Sequence, residues 1–143
     1  MKATARCIDL IKRFEGCRLE AYQDSVGVWT IGYGSTMGVK QGDRISAQQA
    51  ETLLRADLSR FESGVSAFVT APIKQSQFEA IVSLAFNVGM GNVKNSTLLK
   101  LTNQKQYLQA AQQFQKWNLA GGKPLLGLLR RRLAEAQLYL EDL

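Results

Sequence analysis

Apolar and polar positions change period twice along this chain of 143 residues. Over residues 3–14, Cys7, Ile8, Ile11 and Phe14 fall on one face at helical spacing, and Gly16 follows as a stop. From Arg18 to about Val39 the strand formers Tyr22, Val28, Trp29, Thr30, Ile31 and Tyr33 take over, punctuated by Gly27, Gly32, Gly34 and Gly38. That pattern predicts a short antiparallel sheet. Ser46-Ala47-Gln48-Gln49 is a capping box. It opens a long helix with the stripe Ala50, Leu54, Leu58, Phe61, Val65 and Phe68, which Thr70-Ala71-Pro72 breaks.

The remainder reads as helical. Phe78, Ile81, Val82 and Ala85 form one stripe, ended near Gly89 and Gly91, and a short segment follows at about 96–102. Tyr107, Ala111, Phe114 and Trp117 form another, ended by Gly121-Gly122. The last helix runs from about Leu125 to Asp142, with Leu129, Leu133, Ala136 and Leu140 expected to face inward. The fold class is α+β: a small β-containing N-terminal lobe (about 14–60) and an all-α C-terminal lobe (about 70–143 plus the first helix). The two lobes make one domain joined by the long helix, and a cleft between them is the default ligand site.

Composition narrows the chemistry. With no histidine, a Ser-His-Asp triad, a Cys-His pair and the histidine zinc sites are excluded. Two cysteines cannot hold a structural zinc, and a helix between Cys7 and Cys17 sets them too far apart to bridge. They read as free thiols, small and buried, in a reducing cytosol. The net charge of +6 favours a polyanionic partner such as nucleic acid, anionic lipid or an acidic wall polymer. MKATARCIDLIKRFEG lacks the uninterrupted apolar run of a signal peptide, and no stretch reaches the ~18 apolar residues of a membrane span. No metal or cofactor is expected.

Aromatics and glycines crowd around isolated acids in FEGCRLEAYQDSVGVWTIGYGS, residues 14–35. Glu15 falls at a helix C-terminus beside Phe14, where the helix dipole and desolvation both disfavour an ionised carboxylate. Asp24 falls in a polar turn with Gln23, Ser25 and Gly27, which favours the ionised form. One proton donor and one carboxylate are what glycoside hydrolysis requires. Thr30, expected across a hairpin from Asp24, offers a hydroxyl for water. Acids at such spacing are usually solvated charges, and in a straight strand Glu20 shares a face with Asp24. Periodicity does not choose between them.

The wider pattern does. Glu15, Asp24 and Thr30 at this spacing, with Thr30 opening TIGYG, closely resemble the catalytic motif of the phage lysozymes, glycoside hydrolase family 24. LAFNVGMGN (84–92) with STLL (96–99), and KWNLAGGKPLLGLLRRRLAEAQLYL (116–140), resemble the family's later blocks in the right order. The resemblance implies a lysozyme-like fold and Glu15 as general acid. Asp24 would assist water attack and Thr30 would position that water. It implies a peptidoglycan substrate, cut at the β-1,4 bond between N-acetylmuramic acid and N-acetylglucosamine with inversion. Thr36, Phe86, Asn87 and Ser96 match positions lining the sugar cleft, and Gln113 and Trp117 match more loosely. A monomeric endolysin is implied, without stable membrane insertion, that waits in the host cytoplasm and reaches the wall in the periplasm through a holin. The family most often has histidine after GYG; here Ser35 stands there, so an ion pair is lost but a hydroxyl remains.

Plainer readings compete at several positions. Trp29 and Tyr33 read as sheet packing before sugar platforms. Arg130-Arg131-Arg132 reads as a solvated face, with an arginine reaching Glu15 as the alternative. At the level of function, a lytic transglycosylase would leave a 1,6-anhydro product. A basic nucleic-acid module would show steep salt dependence and carries no recognisable motif here. A wall-binding module with a dead site would lack the intact acids.

Overall fold

The computed structural model describes residues 1–120 and 122–143. The elements run α1 (Ala5–Glu15), β1 (Arg18–Gln23), β2 (Trp29–Gly32), α2 (Ala47–Phe68), α3 (Gln75–Val88), α4 (Met90–Lys94), α5 (Thr97–Asn103) and α6 (Tyr107–Gln113). A 3-10 turn (Phe114–Lys116), the short strands β3 (Leu119–Ala120) and β4 (Lys123–Pro124), and α7 (Leu126–Glu141) complete the chain. This is the expected α+β class. Two compact units share it: Ile11–Arg60, and Met1–Leu10 with Phe61–Leu143. No helix among the described residues is long and apolar enough to cross a membrane.

In the unit Ile11–Arg60, α1 stops because Gly16 adopts φ +70° while its N–H bonds the Lys12 carbonyl at 3.1 Å. That left-handed geometry suits glycine. β1 and β2 pair antiparallel with Tyr22 opposite Thr30 and Gln23 opposite Trp29. Thr30 therefore faces Tyr22, not Asp24 as expected, because Asp24 lies beyond the last ladder pair in the turn. The register slips between Arg18 and Tyr22, so β1 does not run straight. Its outer edge is covered: Ala21 N–H bonds Asp43 C=O and Ile45 N–H bonds Leu19 C=O, both at 2.9 Å. The capping box on α2 is made in both directions, Ser46 N–H to Gln49 Oε1 at 2.8 Å and Gln49 N–H to Ser46 Oγ at 3.1 Å. Ile11, Ile31, Ala50, Leu54 and Leu58 are buried.

In the other unit α3 is the central helix. Ten consecutive residues, Ser76–Ala85, are buried, as befits a helix covered on all sides. Phe78, Ile81 and Leu84 each contribute about 1.5–3 kcal/mol by leaving water. Its buried carboxylate is bonded from several sides. Glu79 accepts from Thr4 N–H (2.8 Å), the Thr4 hydroxyl, Arg6 Nε (2.7 Å) and Gln75 Nε2 (2.9 Å). Burial raises the Glu79 carboxyl, but these bonds outweigh it and hold it below the ordinary carboxylate range. Cys7, sealed against α3, has its thiol pushed up to about 12 by burial and by nearby carboxylates, so it stays a protonated thiol.

α7 corrects the sequence reading. Leu133 and Leu140 are 40% and 38% exposed, whereas Arg131, Arg132, Glu135, Leu138 and Tyr139 are buried. The Arg run is not a solvated face: two of its members lie in the core. The reason is mutual pairing. Glu135 Oε2 accepts from Ser83 Oγ at 2.5 Å, Arg131 Nε at 3.3 Å and Arg132 Nη2 at 3.2 Å, and Arg132 Nε stands 2.7 Å from Oε1. Burial pushes the Glu135 carboxyl up, against the pull of both guanidiniums and Ser83.

Smaller departures follow. The stripe from Tyr107 to Trp117 is not one helix, since α6 ends at Gln113 and tightens into the 3-10 turn. The hairpin of β3 and β4 was not foreseen, and the expected stop at Gly121 lies outside the described residues. Both cysteines are free, but Cys17 is exposed rather than buried, being the residue after the α1 stop.

Candidate active site

Glu15 is the last residue of α1 and is half-buried. The loop beside it is a tight reversal. Ile31 and Ser35 exchange both backbone hydrogen bonds at 2.9 Å, enclosing Gly32, Tyr33 and Gly34. Gly32 has φ +65° and Gly34 φ +101°. A Cβ on Gly34 would stand 3.9 Å from Glu15 Oε1, and one on Gly32 would touch Ala50 Cβ at 3.4 Å. The two glycines of TIGYG thus let the loop turn against α2 and lie beside the acid. Tyr33, between them, has Lys12 Nζ 5.7 Å from its ring centroid, and Lys12 bonds Glu51 Oε1 at 2.5 Å. The Glu51 carboxyl is held below its ordinary range by that contact.

Ser35, buried, donates to Asp57 Oδ2 on α2 at 2.6 Å. The hydroxyl that replaces the expected histidine therefore still ties the loop to the helix, across 22 residues of sequence rather than locally.

Asp24 is exposed in the β1–β2 turn. Its Oδ1 accepts from Val26 N–H at 3.0 Å and Val28 N–H at 2.9 Å, and its own N–H bonds Val28 C=O at 2.9 Å. Oδ2 accepts no hydrogen bond among the described residues. Thr30 is buried, and its hydroxyl donates to the same Val28 C=O at 2.9 Å. One carboxylate oxygen and one hydroxyl are thereby fixed by a single residue, leaving Oδ2 and the Thr30 lone pairs for water. Glu20, the rival acid, is paired at 3.4 Å with exposed Arg44 on the outer edge of β1.

Thr36 follows Ser35 and is exposed. The remaining candidates belong to the helical unit. Phe86, half-buried near the end of α3, meets Phe61 edge-on at 5.5 Å and 66°. Asn87, exposed, shares the wall of a cavity of about 650 Å³ with Trp117, Lys116, Leu119, Leu125 and Arg132. Gln113 is half-buried at the end of α6. Ser96 is the N-cap of α5: its hydroxyl accepts from Leu99 N–H at 3.1 Å and donates to Val93 C=O at 2.6 Å. That side chain is committed to the backbone. Sequence reasoning missed Val28, whose backbone leaves no mark in the sequence, and Asp57, a half-buried polar residue bordering the apolar stripe of α2.

A half-buried carboxyl at a helix end and an exposed one in the turn of a small sheet, in an otherwise helical chain, fit a lysozyme-like glycoside hydrolase. The model of the phage lysozyme family matches residues 12–135, and the chain belongs to that family of wall-lytic enzymes. It is 43% identical over 143 residues to the endolysin of Acyrthosiphon pisum secondary endosymbiont phage 1, covering 97% of this chain and 98% of that one. Among solved structures it is similar to the muramidase domain of SpmX from Asticaccaulis excentricus (TM-score 0.92, 38% identity, 97% of each chain). It is also similar to a mutant P22 lysozyme (TM-score 0.89, 40% identity, 98% of this chain and 99% of that one).

Proposed function

We propose that the chain hydrolyses the β-1,4 bond between N-acetylmuramic acid and N-acetylglucosamine in peptidoglycan, as a phage endolysin, with inversion. The common anchorage of Asp24 and Thr30 on Val28 carries this reading. Glu15 gives its proton to the glycosidic oxygen as the C1–O bond breaks. Thr30, whose own proton is engaged by Val28, accepts one hydrogen of a water. Asp24 Oδ2 accepts the other and takes that proton as the water oxygen bonds C1. The cycle leaves Glu15 ionised and Asp24 protonated, and exchange with solvent resets both. A base that acts through water stands across the anomeric carbon from the acid, which is the inverting geometry.

Thr36, Phe86, Asn87, Gln113 and Trp117 hold the glycan in this reading, with the cavity beside Asn87 and Trp117 taking part of it. Ser96 shapes the wall of that site as a helix cap. The +6 charge draws the chain to an anionic wall, and the enzyme acts as a monomer. It waits in the host cytoplasm and depends on a holin for its passage to the periplasm. The test is turbidity of purified wall stripped of outer membrane. The wild-type chain clears it and releases reducing ends, whereas absence of both with the intact chain contradicts the proposal.

A further inference from the structure

Most of α7 is explained by packing, but its buried charges are not. The side chains of Arg131, Arg132 and Glu135 are 4%, 0% and 0% exposed. Buried ion pairs are often no more stabilising than apolar residues of the same volume. What they supply that leucines cannot is direction. Glu135 grips the Arg132 guanidinium on the side that carries Nε and Nη2. The plane of the group then aims the remaining nitrogen, Nη1, at the Trp117 carbonyl, 3.4 Å away. Arg131, the third member, turns its Nη2 to the Ser83 carbonyl at 3.2 Å and so locks the cluster onto α3.

Trp117 sits where regular structure runs out. It caps the 3-10 turn at φ −96°, ψ 46°, and β3 begins two residues later. Its N–H is bonded to Phe114 C=O at 3.1 Å, and the base of the hairpin closes through Leu125 N–H to Asn118 C=O at 3.0 Å. Between those two fixed points the Trp117 carbonyl is the group that sets how the peptide, and with it the indole, faces the cavity. Arg132 itself lines the cavity, but its side chain is 0% exposed and engaged by Glu135, so it braces the wall rather than reaching out to a ligand.

We propose that Glu135 is a positioning residue: through Arg132 it fixes the Trp117 wall of the cavity and so sets how tightly the wall polymer is held, not how fast its bond breaks. This rests on the reading that the cavity takes part of the glycan. The contrasting role is a core network that merely joins α3 to α7, which would move stability and leave the kinetic constants of the folded enzyme alone.

The test uses the full chain and soluble peptidoglycan strands. Glu135→Gln keeps the shape but loses the charged grip; Arg132→Lys keeps the charge but lacks the fork. Each is expected to raise KM roughly tenfold with kcat within about twofold, the signature of lost binding. Placed in a Trp29→Phe background, where Trp117 is the one tryptophan left, each also raises quenching of Trp117 fluorescence by acrylamide. If Glu135→Gln does not fold, Arg132→Lys carries the test with the same expected result. A folded variant with unchanged KM, or with kcat lowered at constant KM, overturns the proposal. Trp117→Ala separates the two failures: no rise in its KM removes the cavity from the substrate site, while a rise there without one in the α7 variants overturns the positioning role alone.

Discussion

Asp24 and Thr30 are held by the same residue: the Val28 N–H bonds Asp24 Oδ1 and the Val28 carbonyl accepts the Thr30 hydroxyl, each at 2.9 Å. Replacing Asp24 separates its two jobs. Asp24→Asn retains an oxygen for the Val26 and Val28 N–H groups, so the melting temperature holds. Wall lysis falls by roughly a hundredfold or more, because an amide cannot take the proton. Asp24→Ala loses lysis and about 1 kcal/mol as well, since the turn bonds go. Glu20→Gln leaves lysis near wild type, its exposed pair with Arg44 being worth about 0–1 kcal/mol. Paired turbidity assays and thermal melts check all three.

Glu15→Gln is expected to reduce lysis by roughly a hundred- to ten-thousand-fold with an unchanged circular dichroism spectrum. Retention of more than about a tenth of wild-type rate removes Glu15 from the mechanism. Gly34→Ala approaches the same carboxyl through the backbone. With φ +101° at residue 34, alanine there costs about 1–2 kcal/mol and sets a methyl against Glu15. Both stability and lysis should fall, as melts and turbidity will show.

Ser35→Ala tests the tie that stands in for the expected histidine. Its bond to Asp57 is charge-assisted and largely sheltered, so its loss should cost about 1.5–3 kcal/mol. Denaturant titration reads this directly, and a loss below about 0.5 kcal/mol means that the loop is held by its glycine turn and the Ile31–Ser35 backbone pair instead.

Much of this was legible in the sequence. The stripes of α2 and α3, the Ser46 box and the Gly16 stop are local signals, and the three candidate catalytic residues stood out because their motif is compact. The inward face of α7 escapes a reading by hydrophobicity alone, because charged residues occupy part of it. Yet Glu135 follows Arg131 by four and Arg132 by three, on the side of Leu138 and Tyr139, and that spacing is itself a signal of pairing. The β3–β4 hairpin has two residues per strand, too few for any period to register. The Val28 anchorage is made by backbone atoms of a turn, which any residue supplies. The Ser35–Asp57 bond joins positions whose neighbourhood arises only when β2 packs on α2.

Acid should loosen the chain through Glu79. Its folded carboxyl lies below its unfolded value of about 4.3, so the unfolded chain binds more protons in the window between them and stability rises with pH there. The contribution is complete above about pH 5 and is lost as pH falls through the folded value. Asp142, held down by Arg6 and Ser76, acts in the same direction. Glu79→Gln should lower stability at neutral pH by about 2 kcal/mol, less than for a fully buried pair because Arg6 is 32% exposed. The variant's melting temperature should also fall less between pH 7 and pH 3 than that of wild type, in melts across that range.

The measurement nearest the central claim is early-time NMR of a muro-oligosaccharide digest. If, as proposed, a water seated by Thr30 and deprotonated by Asp24 attacks the face opposite the leaving group, the β-linked substrate should first give the α-anomer of the new reducing end. An initial β-anomer would make Asp24 a nucleophile with the carboxyl groups only ~5–5.5 Å apart. A 1,6-anhydro sugar would mean that no water takes part. Either result contradicts the roles assigned to Asp24 and Thr30.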